Sequence, residues 1–455
     1  MATSTTDPRD VIDQSPMTTA QVIVVAITVL LNAMDGFDVL SIAFASPGIA
    51  NEWHIDRGAL GVVLSMELIG MAIGSVFLGG VADKIGRRPT LLGCLAVMSL
   101  GMFGATTATS PIILSIWRIF TGLGIGGMLS ATNAVVGEFS SKKWRALCIS
   151  IMVIGYPLGG GFGGLYASSL IGTYGWRAVF YLGAIVAAVS LPILYFFVPE
   201  SVHWLARKQP AGALNRVNTS LQKLGLPTVS ALPVMAETDR KKSVGDIFSP
   251  TLVGTTVVVT AVYFLHILTF YFLIKWTPQI VAGMKFDASS AGRVLAYANL
   301  GGAAGGAVFG LLTGKIGLKP LTIGILVCNA IAVASFGRTP AELGTLTMLS
   351  VIVGFFGNAA ISGLYSIVAY AFPTHVRATG TGFVVGVGRG GAVLSPIIAG
   401  YLMQGGYDLP TVAIIMCVGS MLAAIVLSQL KMSNQPIGSV ERTATLPASG
   451  AQARA

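Results

Sequence analysis

Apolar residues along this chain do not alternate with polar ones. They come in long blocks divided by short polar turns, as in the run from Val22 through Leu31 to Val39, Ile42 and Phe44. A helix rises ~1.5 Å per residue, so about 20 apolar residues cross a hydrocarbon layer of ~30 Å. Blocks of that size recur at roughly 20–47, 59–81, 89–109, 112–137, 145–171, 176–198, 250–275, 290–313, 320–337, 342–370, 378–402 and 408–431, which predicts twelve membrane-spanning helices. The polar interval from Pro199 to Ser249 carries Arg207, Lys208, Arg216, Lys223, Arg240, Lys241 and Lys242 and divides the helices six from six. The expected organisation is a tail over 1–19, a six-helix bundle over 20–198, a linker over 199–249, a second bundle over 250–431 and a disordered tail over 432–455.

The first block is broken by Asp35-Gly36-Phe37-Asp38. A charge at bilayer depth costs about 2.5–3.5 kcal/mol on insertion scales, so two acids in one helix need a partner, a water-filled cavity or a proton. Their i, i+3 spacing puts both on one face, and Gly36 between them lets another backbone or a ligand approach. The plainer alternative is a helix end at which both acids sit in interfacial water. Val39, Leu40, Ile42, Ala43 and Phe44 continue the apolar run and weigh against it.

Composition changes the picture at two points. Of the 455 residues 54% are hydrophobic and 10% charged, far from the ~25% charged of an ordinary globular protein, which fits an integral membrane protein. The net charge of +10 raises nucleic acid as a partner. Placement answers that: most Lys and Arg fall in the linker, the tails and the turns on the linker's side, as the positive-inside rule expects when both termini are cytoplasmic. Nucleic-acid binding then has little support. Cys94, Cys148, Cys328 and Cys417 are dispersed without CxxC or His pairing, so neither metal nor a disulfide framework is expected. The N-terminus has Arg9 among Asp7, Asp10 and Asp13, unlike the positive start of a cleaved leader, and the first helix is expected to stay in the mature protein.

Two turns repeat. Gly79-Gly80-Val81-Ala82-Asp83-Lys84-Ile85-Gly86-Arg87-Arg88-Pro89 follows the second block, and Gly310-Leu311-Leu312-Thr313-Gly314-Lys315-Ile316-Gly317-Leu318-Lys319-Pro320 follows the eighth, aligning without a gap. Two matching halves suit a transporter whose halves rock about a central site.

Charged residues inside the blocks are the candidate chemistry. Arg118 opens Arg118-Ile119-Phe120-Thr121-Gly122-Leu123-Gly124-Ile125-Gly126-Gly127; a guanidinium cannot be deprotonated and must find an anion. Counting along the helices puts it ~10 Å from the outer end, near the depth of Glu67 at ~12 Å. The expected cluster is Asp35, Asp38, Glu67 and Arg118, taking up protons from outside; a permanent Glu67–Arg118 salt bridge is the alternative. Gly122, Gly124 and Gly127 also fit GxGxxG, but no strand precedes them and a dinucleotide site is not supported. Arg389, in Gly386-Val387-Gly388-Arg389-Gly390-Gly391, falls near the midplane, where its fork can meet a carboxylate of an organic anion; a bond to a backbone carbonyl is the alternative. Tyr263, His266 and Tyr271 offer faces and an imidazole to a planar ring, although a lone His is as readily a packing residue, and Trp276 is expected in the interfacial belt. Glu138 reads as a gate or packing charge near Lys142, Lys143 and Arg145. Gly155-Tyr156-Pro157-Leu158-Gly159-Gly160 reads as a kink.

The loop Gly79-x-x-x-Asp83-Lys84-x-Gly86-Arg87-Arg88 resembles the signature of the major facilitator superfamily, as do Arg118-x-x-x-Gly-x-Gly and Pro199-Glu200-Ser201-Val202-His203-Trp204-Leu205, where Val202 and His203 depart from the pattern. The resemblance covers about residues 20–431. It implies an all-α membrane protein of two pseudo-symmetric six-helix bundles, with Gly79, Asp83, Lys84, Gly86, Arg87 and Arg88 as a conformational latch. The second copy has Gly314 where the acid would stand, which weakens any latch there. Asp35-Gly36-Phe37-Asp38, the Arg118 to Glu138 stretch and Phe372-Pro373-Thr374-x-x-Arg377-Ala378-Thr379-Gly380 leading to Arg389 resemble the aromatic acid:proton symporter family, from which Ser130 departs. That implies that Asp35 and Asp38 are needed for transport, with Arg118, Glu138, Arg377 and Arg389 as further charged positions and Glu138 and Arg377 gating.

The expectation is a monomeric inner-membrane importer of a benzoate-, hydroxybenzoate- or vanillate-type acid with protons, no cofactor and both termini cytoplasmic. Import of a non-aromatic organic acid and, less favoured, drug:proton antiport are the alternatives. An enzyme would need a nucleophile, metal or phosphate-binding set, and none is found.

Overall fold

The structure is a computed structural model that describes residues 7–233, 244–373 and 376–430. Arg240, Lys241, Lys242, Thr374 and the expected tail over 432–455 lie outside the described residues. Among the described residues 12 helices are long and apolar enough to cross a membrane. They are α1 (Thr19–Trp53), α2 (Arg57–Ile85), α3 (Arg87–Thr106), α4 (Pro111–Phe139), α5 (Arg145–Tyr174), α6 (Arg177–Phe197), α7 (Val253–Gly283), α8 (Ala288–Thr313), α9 (Leu318–Phe336), α10 (Leu343–Ala371), α11 (Arg377–Gln404) and α12 (Leu409–Ser428).

Number and order are those the hydropathy blocks predict, but several helices outrun their blocks. The first continues to Trp53 through Pro47, and the seventh to Gly283 through Pro278. Hydropathy falls where Asn51, Glu52, Thr277 and Gln279 enter, while the backbone ladder continues. One residue before Pro278, the Thr277 hydroxyl donates to the Leu273 carbonyl (2.6 Å), the side-chain help that lets a proline stay inside a buried helix.

Small residues set the packing. In the first half α2 lies along α4, with Gly70 and Gly74 against the Ile119 and Leu123 carbonyls and Gly122 and Gly126 against those of Glu67 and Met71. The second half repeats the pairing in α8 and α10, where Gly301, Gly305 and Gly354 meet Val351, Phe355 and Ala298. Backbones this close gain dispersion contacts that bulkier side chains would forbid. The fold is two pseudo-symmetric six-helix bundles, in contact through α2 with α11, α5 with α8 and α1 with α7.

One end of the molecule carries the polar elements. A short helix Pro8–Gln14 packs against Val202–Lys208 of the linker, Arg145 pairs with Asp13, and the Thr18 hydroxyl donates to the Leu224 carbonyl (2.7 Å). We call this the linker side and the opposite end the far side.

Candidate functional site

Asp35 and Asp38 fall in the middle of α1, which runs on for four further turns, so neither sits at a helix end in water. Both are buried, with relative exposures of 0% and 1%. Gly36 between them packs on the Tyr156 backbone of α5, where a Cβ would collide with the carbonyl. The two acids differ in company. Asp38 has Arg118 beside it, whose Nη2 donates to the Asp38 carbonyl oxygen (2.8 Å). Neither Asp35 oxygen has a hydrogen-bond partner among the described residues. Charges within electrostatic reach of Asp35 are Asp38, Glu67 and Arg389.

The equal depths of Glu67 and Arg118 bring them together as an ion pair (2.5 Å) with both side chains fully buried. Arg118 also donates to the Met102 sulfur (2.9 Å) and stacks over the Phe180 ring, 5.3 Å from its centroid. A second cation completes the cluster: Lys275 of α7, fully buried, lies 3.6 Å from the same Glu67 oxygen and donates to the Val39 carbonyl of α1. The hydropathy block ends at Lys275, which makes that residue look interfacial. The helix extends two turns further and places it inside. A lone lysine at the edge of an apolar run was the one signal of it in the sequence.

Arg389 is half-buried at the meeting of the halves, and its Nη1 donates to the Met71 carbonyl of α2 (2.9 Å). Its charge reaches Asp35, Tyr263 and Tyr271. The tyrosines form a wall: the Tyr263 and Tyr365 hydroxyls are 3.2 Å apart, and Tyr271 shares a hydrogen bond with Tyr156 across the halves. The sequence shows Tyr156 only as part of a kink and does not single out Tyr365, because aromatic residues in apolar helices carry no pattern of their own. His266 is tied at both nitrogens, Nδ1 to the Ser420 hydroxyl (3.0 Å) and Nε2 to the Gly357 carbonyl (3.2 Å), inside the second bundle. Trp276 is not in the interfacial belt. It is fully buried and donates to the Pro396 carbonyl (3.1 Å), because α7 continues beyond it.

The signature loop organises the linker side. Gly79–Ile85 ends at Gly86, whose φ of 112° turns the chain into α3. Asp83 accepts from Arg87 (2.8 Å) and Arg207 (3.0 Å), and Arg87 reaches on to Glu138 (2.9 Å). Glu138 therefore pairs with Arg87 and with the Ser201 hydroxyl, while Arg145 goes to Asp13. The Glu200 carboxylate accepts from the Arg87 (2.9 Å) and Ser201 (2.9 Å) backbone N–H groups. Lys84 is exposed, and the half-buried Arg88 lies over the Tyr195 ring. His203 sits nearby, and burial pushes its imidazole below the usual value, opposed by Glu138 and Asp13. Arg377 stands apart: its Nε donates to the Phe372 carbonyl (3.3 Å) and closes the end of α10. In the second copy of the loop Lys319 donates to the Ser428 (2.9 Å) and Leu430 (2.7 Å) carbonyls.

A helical molecule of two halves that encloses acids and bases at their seam is built to carry a solute. The chain belongs to the Major Facilitator Superfamily, whose family model matches residues 26–341 and 259–446; it is a multi-pass membrane transporter and not an enzyme. It is 27% identical over 422 residues to a gallate transporter of Pseudomonas putida, covering 92% of this chain and 94% of that one. It is 28% identical over 434 residues to a 4-hydroxybenzoate transporter of Acinetobacter baylyi, covering 93% of each. Among solved structures it matches the xylose transporter of Escherichia coli in an inward-open conformation with a TM-score of 0.71, 16% identity and coverage of 93% and 99%.

Proposed function

We propose that this protein imports an aromatic carboxylic acid with protons by alternating access across the cell inner membrane, as a monomer with the linker side in the cytoplasm. The observation that carries the substrate reading is Arg389, a cation between Asp35 and a wall of tyrosines at the seam of the two halves. Its fork suits a carboxylate, and Tyr263 and Tyr271 suit the faces of a ring. His266 stiffens that wall by holding α7 to α10 and α12. Relatives described as transporters of gallate, 4-hydroxybenzoate and benzoate support the substrate class.

The proton side is Asp35 and Asp38 with Glu67 and Arg118. Asp35 is buried without a hydrogen-bond partner, so a proton is what neutralises it there. The network of Asp83, Arg87 and Glu138 with the linker acts as the latch on the cytoplasmic side, and Arg377 positions the adjoining ends of α10 and α11.

Uptake of radiolabelled hydroxybenzoate into vesicles with an imposed inward proton gradient is expected to exceed equilibrium and to collapse on adding a protonophore. Uptake indifferent to the gradient rejects the symport. The Arg389→Ala variant is expected to lose binding; unchanged affinity would leave that arginine only its bond to Met71.

A further inference from the structure

Eight ion pairs join the described residues, and that of Lys275 with Glu67 is the one that crosses from one bundle to the other. We propose that Lys275 is the lock that holds the far side shut, and that neutralising Glu67 releases it. The geometry makes the pair asymmetric. Glu67 keeps Arg118 of its own bundle at 2.5 Å whether or not the bundles part. The partners of Lys275, the Glu67 carboxylate and the Val39 carbonyl, both lie on the other bundle. Parting α7 from α1 and α2 therefore costs the lysine both, and leaves an ammonium to be met by entering water.

The groups facing this lysine set the sign. Glu67 of α2 and Arg118 of α4 are the charges that act on it, and Asp35 and Asp38 of α1 lie beyond, within reach of Glu67. With Glu67 ionised, one carboxylate stands between two cations and holds them together. With Glu67 neutral, Lys275 and Arg118 face each other across an uncharged group, and their repulsion favours the open far side. Loss of the Glu67 charge and release of the lock are then one event. The coupling part of this inference rests on the symport reading, whereas the lock itself does not.

Spin labels at positions 51 and 283, the exposed far-side ends of α1 and α7, test it in a chain whose four native cysteines are replaced. Measured by pulsed electron resonance without substrate, the unaltered pair is expected to give mainly the short, closed distance. Lys275→Met is expected to raise the long-distance population roughly fivefold or more, the low end of usual coupling. Glu67→Gln, which keeps the shape and removes the charge, is expected to act in the same direction, and the double variant no further than the larger single. Distances in both single variants that overlay the unaltered protein would overturn the lock. Because no substrate is present, a failure of aromatic acid uptake leaves this readout intact, and unchanged distances beside normal proton-driven uptake sink the lock alone.

Discussion

Asp35 and Glu67 are both fully buried carboxylates, and their surroundings give them opposite sensitivities to substitution. Asp35 has no hydrogen-bond partner to abandon, so Asp35→Asn is expected to leave thermal stability in detergent within ~0.5 kcal/mol while proton-driven accumulation falls more than about tenfold. Glu67 stands between two cations, and Glu67→Ala leaves both of them buried with less to hold them, an expected loss of about 3–5 kcal/mol. Paired unfolding and uptake measurements on the two variants check the contrast; a large stability loss in Asp35→Asn would mean that a partner holds this acid. The first of these residues was legible in the sequence, since the apolar run continues past both acids and weighs against a helix end in water. The meeting of Glu67 with Arg118 was legible too, from depth alone. Lys275 was not, because hydropathy ends a helix where polar residues gather and the backbone does not.

At the scale of the helix, α5 shows what a motif can and cannot say. Pro157 lacks an N–H, and beyond it the helix widens into a π-turn over Gly159–Gly163. A kink was readable from Gly155-Tyr156-Pro157-Leu158-Gly159-Gly160. Its purpose was not, because the surface it fits belongs to residues far away in sequence. Gly159 lies on the Ala33 backbone of α1, and Gly36 of α1 lies on the Tyr156 backbone of α5, so each helix enters a gap in the other. A Cβ at either place meets main chain, which cannot rotate away. Gly159→Val is therefore expected to lower the unfolding midpoint by several degrees, an overpacking cost of about 1–3 kcal/mol or more, and to reduce uptake. Gly93→Ala of α3, where nothing lies near the added carbon, is the matched control and is expected to leave both unchanged. Equal behaviour of the two variants would show that α1 and α5 have room to part.

For the molecule as a whole, the bonds named between the halves share one location. Arg57 meets Gly400, Gly61 meets Pro396, the Ser65 hydroxyl donates to the Val393 carbonyl (2.8 Å), and Arg389 donates to Met71 (2.9 Å). These rungs climb α2 and α11 from the far end to the middle, where Tyr156 and Tyr271 meet and Lys275 bridges α7 to α1. The far side is thus the closed one. The repeated turn made the twofold design visible in sequence, but a sequence that must support two states marks neither as the one at rest. Alternating access makes this seam a moving part: if the far side closes by bringing α2 onto α11, a wedge in the seam holds it open. Gly61 faces the Pro396 carbonyl without space for a Cβ, so Gly61→Leu supplies the wedge. Substrate would still reach Arg389 from the far side, but the closing that precedes release would be disfavoured. The expected result is binding to right-side-out vesicles within about twofold of the unaltered protein, with initial uptake lowered about tenfold or more. Both measured together decide it, because a seam that merely packs the resting state would lose binding and uptake in proportion.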